Sequence, residues 1–98
     1  MTLQLVVSRH AQADIKKAIA WFGEISPTLP LRFGRELETV YASILEFPEL
    51  YPVIFKNFRR ALLHRFPYSV FYVVNPSKLL IVSVVHQAQN EETWKRRS

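Results

Sequence analysis

The stretch RRALLHRFPYSVFYVVNPSKLLIVSVVHQ, residues 59–87, is dominated by β-branched and aromatic side chains and has the two-residue period of β structure. Pro67 and the turn sequence Asn75-Pro76-Ser77-Lys78 divide it, with Phe58 in front, into segments 58–66, 68–74 and 79–87, which predict an antiparallel meander. In the second segment Val70, Tyr72 and Val74 oppose Phe71 and Val73; in the third, Leu79, Ile81 and Val85 oppose Leu80, Val82 and Val84. Both faces of the sheet are therefore apolar, although an antiparallel sheet covered on one face should present a polar second face.

Upstream of the meander the period changes. Leu3, Leu5 and Val7 alternate with Thr2, Gln4 and Val6 in a short strand, and Ser8 stands where a helix N-cap belongs. Ala11, Ile15, Ala18, Ile19, Phe22 and Ile25 then line one side of a helix, and Phe33, Leu37, Val40, Tyr41, Ile44 and Phe47 repeat the spacing in a second. The turn SPTLP, residues 26–30, joins them, Thr28 is a second N-cap candidate, and Pro48 ends the second helix. Gly34 inside that helix costs about 1 kcal/mol relative to Ala, which a close helix approach would explain. Residues 48–57 read as an irregular loop, and the tail from Asn90 as a short helix anchored by Trp94 or a loose end.

The predicted order β-α-α-β-β-β is an α+β domain spanning residues 1–98, its helical hairpin packed on one face of an antiparallel sheet. Two helices cannot shelter two apolar faces. Either residues 48–57 and the tail cover the second face, or it is left for another chain or a second copy. Alternation defines two sets of residues without saying which lies under the helices. Taking the outward set as Tyr72, Val82 and Val84, and adding Arg59 and Arg65, gives the candidate partner surface.

Composition narrows the chemistry. Ninety-eight residues with no Cys exclude a disulfide framework or thiolate metal site and leave little room for an enclosed cofactor pocket. No cofactor or metal is expected: Gly occurs only at positions 23 and 34, so no glycine-rich phosphate loop forms, and His10, His64 and His86 fall on separate elements. No segment has the length and hydropathy of a membrane span or export signal, so a cytoplasmic location with no membrane partner is expected. The net charge of +5 is unevenly placed: residues 1–50 carry five basic and six acidic side chains, residues 51–98 eight and two. The second half therefore suits an anionic partner. Lys56, Arg59, Arg60 and Arg65 are its densest cluster, but alternation sends Arg60 and His64 to one face and Arg59 and Arg65 to the other.

The Arg-rich strand, the Phe66-Pro67-Tyr68 turn, the Phe71-Tyr72 pair, the Ile/Val-rich strand and terminal His86, preceded by a helical hairpin ending in Phe47-Pro48, resemble the ParE branch of the ParE/RelE toxin superfamily over nearly the whole chain. The resemblance implies the toxin of a type II toxin–antitoxin pair, of the kind described as plasmid stabilisation proteins. It implies neutralisation by a cognate ParD-like antitoxin, through which operator DNA is met indirectly, and DNA gyrase as the target. RelE-branch relatives instead cleave messenger RNA on the ribosome without a metal. That chemistry needs a base for the 2′-hydroxyl, cations for the phosphorane and an acid for the leaving oxygen. Arg60, Arg65 and His86 are the nearest candidates. Residues 87–92, QAQNEE, hold neither Tyr nor a cation, which favours the gyrase reading. They also depart from the ParE pattern, in which one or two Arg usually follow that His. A third possibility is a toxin fold that has lost its poison and only binds antitoxin.

Overall fold

The computed structural model describes residues 3–89 and 91–97. Strand β1 (Gln4–Val7) leads into helix α1 (Arg9–Ile25), helix α2 (Leu29–Glu46), strands β2 (Val53–Phe55), β3 (Phe58–Leu62), β4 (Tyr68–Val74) and β5 (Lys78–His86), and a short helix α3 (Glu91–Lys95). The sheet order is β1-β5-β4-β3-β2. The sequence reading missed β2, which lies within the stretch assigned to a loop and pairs with β3. It also took the sheet as antiparallel throughout, whereas β1 runs parallel to β5 from Gln4↔Lys78 to Val7↔Ile81, because the helical hairpin returns the chain to the other end of the sheet.

Ser8 caps α1 as expected. Its hydroxyl oxygen accepts the Ala11 N–H at 3.1 Å and donates to the Val82 carbonyl at 3.2 Å, so one side chain starts the helix and fastens it to β5. Thr28 makes no side-chain cap to α2; Pro30 in the first turn sets the helical entry. The close approach inferred at Gly34 is not present: a Cβ there would meet nothing within 4 Å. Gly34→Ala is therefore expected to raise stability by about 0.5–1 kcal/mol, read from chemical denaturation, since only the entropy of the unfolded chain changes.

Phe33, Leu37 and Ile44 of α2, with Ala11 and Ala18 of α1, pack on Val70, Tyr72, Leu79, Ile81 and Val84. At one end Phe22, Phe33, Phe66 and Tyr68 form an aromatic cluster with centroids 5.0–5.8 Å apart. At the other, the Tyr72 hydroxyl donates to the Pro48 carbonyl at 2.9 Å and the Ser43 and Tyr51 hydroxyls share a 2.7 Å hydrogen bond.

The second face is covered from within the chain. Phe58, Phe71, Val82 and Val85 lie buried under Trp94 of α3, with Ile54 and Phe55 of β2 closing the side. The Trp94 and Phe71 rings stack with centroids 4.2 Å apart and planes 17° from parallel, and Phe55 meets Trp94 edge-on at 5.8 Å. The surplus apolar sheet surface is thus sheltered by the 48–57 segment and the tail, and the sheet itself does not demand a companion. Leu62 of β3 and Val53 of β2 stay about half exposed at the rim of this cover, and further exposed apolar groups stand on the helices, where Trp21 and Ile25 of α1 and Leu31 of α2 are each about 60% exposed.

A β-bulge explains the misplaced faces. Phe71 pairs with Ser83 but Tyr72 with Ile81, so β5 carries one extra residue and its alternation reverses beyond it. Val84 joins Leu79 and Ile81 under the helices, and Val85 joins Leu80 and Val82. Strict alternation had exchanged Val84 and Val85.

Two phenols make the fold sensitive to alkali. Burial pushes Tyr41 up to about 12, and Tyr72 is raised equally far by burial although the nearby Arg59 charge opposes the rise. The folded chain holds both protons to higher pH than the unfolded chain, where tyrosine ionises near 10. Their contribution is therefore complete below pH 10 and lost as pH rises towards 12; a melting temperature level to pH 9 and falling beyond 10 is expected. The buried Tyr41 hydroxyl has no hydrogen-bond partner among the described residues. Tyr41→Phe should therefore stabilise the protein by about 1 kcal/mol at neutral pH and weaken the alkaline fall.

Candidate functional site

Residues 58, 60 and 62 of β3 point to the second sheet face, and Arg59 and Ala61 to the helix side, as a half-buried strand dictates. Arg60 and Leu62 consequently border an open hollow of about 290 Å³ whose other walls are Phe71, His86, Glu91 and Trp94. Its base is apolar and its rim carries one guanidinium, one imidazole and one carboxylate. Glu91 is paired with Lys95 at 3.0 Å, one helical turn away.

His86 ends β5 and is exposed. Its Nδ1 accepts the Ala88 backbone N–H at 3.0 Å, closing the turn after the strand, and its ring lies edge-on to Tyr68 at 5.4 Å. Accepting at Nδ1 places the neutral ring's proton on Nε2. An Nε2 acting as a base would require the other tautomer, with two N–H groups facing each other at Ala88.

Arg65 is not part of this hollow. β3 ends at Leu62, and Glu36 of α2 accepts the backbone N–H groups of both His64 and Arg65 at 2.9 Å, drawing the turn to the helix side. Alternation beyond Leu62, used to assign His64 and Arg65 to opposite faces, does not apply. The three nuclease candidates are thus divided: Arg60 and His86 share the hollow, and Arg65 stands with Arg32 and Arg35 in a separate one.

The candidate partner residues separate as well. Tyr72 and Val84 are buried in the helix-side core and Val82 is buried beneath Trp94, so none of the three lies on an open face. The physical reason is the covering segment and the bulge described above. Arg59 spans to the 48–57 segment, donating to the Glu49 carbonyl at 3.1 Å and the Tyr51 carbonyl at 2.6 Å. Of the five, Arg65 alone is exposed.

Sequence reading missed two residues. β1 pairs with β5 only as far as Ile81, leaving the rest of that edge without a strand neighbour. Asp14 of α1 accepts the Val84 N–H there at 3.0 Å and forms a two-pronged ion pair with Arg97, at 2.6 and 3.2 Å. Arg97 also donates to the Ser83 hydroxyl at 2.8 Å. No local pattern links residues 83 positions apart. Beside this latch, α1 and the open edge form a groove of about 450 Å³ bordered by Lys17, Trp21, Tyr68 and His86.

The profile of the family described as ParE toxin of type II toxin-antitoxin system, parDE, matches residues 5–91. The chain belongs to the ParE toxin family. Its fold is similar to a chain of a solved structure described as the chromosomal ParDE TA system from P. aeruginosa, with a TM-score of 0.76 at 18% identity over 87% of this chain and 96% of that one. No curated relative matches. All of β1 but Gln4, the hairpin and the β3–β5 meander fall inside the matched range of this ParE-family chain, and Trp94 lies beyond it. Among the described residues of this ParE-family chain no group of three His, Asp or Glu side chains could hold a metal ion, and no helix is long and apolar enough to cross a membrane.

Proposed function

We propose that this chain is the toxin of a type II toxin–antitoxin pair that acts by binding DNA gyrase and is silenced by a cognate ParD-like antitoxin, with operator DNA reached only through that antitoxin. Family membership over residues 5–91 supports the toxin role. The observation that favours protein binding over RNA cleavage is the division of the candidate set, with Arg65 across the sheet from Arg60 and His86. A ribonuclease needs its cations and its proton-transfer group around one phosphate. Here a single guanidinium faces a histidine whose Nδ1 already serves the turn.

The groove between α1 and the open edge of β5 suits the antitoxin. Asp14 already takes the Val84 N–H of that edge, so an antitoxin segment would lie along the groove mainly by apolar contact, with Trp21 and neighbouring Ile25 as anchorage. Purified protein added to gyrase supercoiling and cleavage assays, beside an mRNA cleavage assay on ribosomes, separates the readings. Accumulation of cleaved DNA with intact mRNA is expected. If Arg60→Ala and His86→Ala abolish growth inhibition and ribosomal mRNA is cut, the nuclease reading replaces this one. If neither assay responds, the chain is a toxin fold that retains only antitoxin binding.

A further inference from the structure

A second feature lies apart from both the Arg60 hollow and the α1 groove. Several cations of the described chain are already engaged: Arg59 holds two carbonyls, Arg97 holds Asp14 and Lys95 holds Glu91. Arg32, Arg35 and Arg65 are exposed, and none forms an ion pair within the described chain. All three border one concavity of about 470 Å³ between the start of α2 and the β3–β4 turn, with Leu29 and Phe66 as its apolar walls.

The arrangement is built rather than incidental. Arg32 and Arg35 are three residues apart, hence neighbours on one helix face. Glu36, on the same face, takes the His64 and Arg65 N–H groups through a single oxygen, at 2.9 Å each. That clip fixes the turn against α2 and sets Arg65 opposite the two helical arginines. The hollow then holds three guanidinium charges against one carboxylate, an excess of two, with His64 at its border.

Three planar forks lining one concavity offer more donors than a carboxylate with two oxygens can accept, but match the several oxygens and higher charge of a phosphate group. We infer that the hollow formed by Arg32, Arg35 and Arg65 binds a phosphate group of a nucleic-acid strand, either a terminal phosphate or one of the backbone. This site is independent of the gyrase and antitoxin reading.

The test uses the full chain labelled with nitrogen-15, titrated with inorganic phosphate against chloride at equal ionic strength, followed at the His64 and Arg65 amides. A parallel arm measures binding of a short single-stranded oligonucleotide with and without a 5′-phosphate. Saturable shifts with phosphate alone, and oligonucleotide binding weakened about tenfold or more in Arg32→Gln/Arg35→Gln and in Arg65→Gln, are expected. An Arg9→Gln/Lys16→Gln control, at two exposed cations of α1 outside every hollow described above, should change binding little. Dependence on the 5′-phosphate assigns the site to strand ends, and independence assigns it to the backbone. Equal responses to chloride, unchanged binding in the arginine variants whose melting temperatures match the parent, or displacement of the oligonucleotide by a glutamate-rich peptide at equal or lower concentration would overturn the inference.

Discussion

Trp94→Ala is expected to lower stability by about 3–5 kcal/mol and to turn a closed protein into one with an adhesive face. The indole is 6% exposed and caps Phe58, Phe71, Val82 and Val85. Truncating it forfeits the ring stack with Phe71 at 4.2 Å and the edge contact with Phe55, the type of large-to-small core change that falls in this range. The sheet beneath still rests on the helical hairpin, so the fold should survive while α3 detaches. Chemical denaturation would give the loss, and binding of a hydrophobic dye with concentration-dependent association would reveal the bared sheet. A Trp94→Ala protein that melts like the parent and stays monomeric would mean that the tail contributes no cover.

Asp14→Ala should cost nearly as much for a different reason. The carboxylate joins three things at once: the unpaired Val84 N–H, the guanidinium of Arg97 and, through Arg97, the Ser83 hydroxyl. The two charged side chains are only 13–15% exposed. Removing one partner of a largely buried pair strands the other charge and orphans a backbone donor, about 3 kcal/mol or somewhat more. Replacing both, as Asp14→Ala/Arg97→Met, should recover part of the loss, and the double-mutant cycle measures the coupling. A purely additive result would place Arg97 in solvent. Hydrogen exchange at Val84 gives an independent reading, rising with loss of Asp14 and rising less with loss of Arg97.

Periodicity made most of the architecture legible. The two helices, the Ser8 cap and the three-strand meander follow from spacings of 3.6 and 2, because those elements bury one face each. β2 was not legible because Val53–Phe55 is three residues long and flanked by Pro52 and by Lys56, which adopts a positive φ of 50°. The facing of β4 and β5 was not legible either. Alternation alone left Tyr72 free to be taken for the outward set, yet its hydroxyl is satisfied inside by the Pro48 carbonyl. The bulge at Val82–Ser83 has no sequence mark, and it alone exchanges Val84 with Val85. Of the candidate site, the individual cations were visible, but their grouping was not: Glu36, an ordinary helix-surface acid in the sequence, decides that Arg65 joins Arg32 and Arg35 instead of Arg60.

The parallel pairing of β1 with β5 also carries a temporal consequence. Gln4 finds its neighbour only at Lys78, so a ribosome adding about 5–20 residues per second must work for roughly 4–15 s after making the first strand before the one it rests against exists. Until then β1 has no strand to pair with, and the sheet, in which β5 stands between β1 and β4, is incomplete. A chain halted before that point therefore lacks the strand that ties β1 to the rest of the sheet.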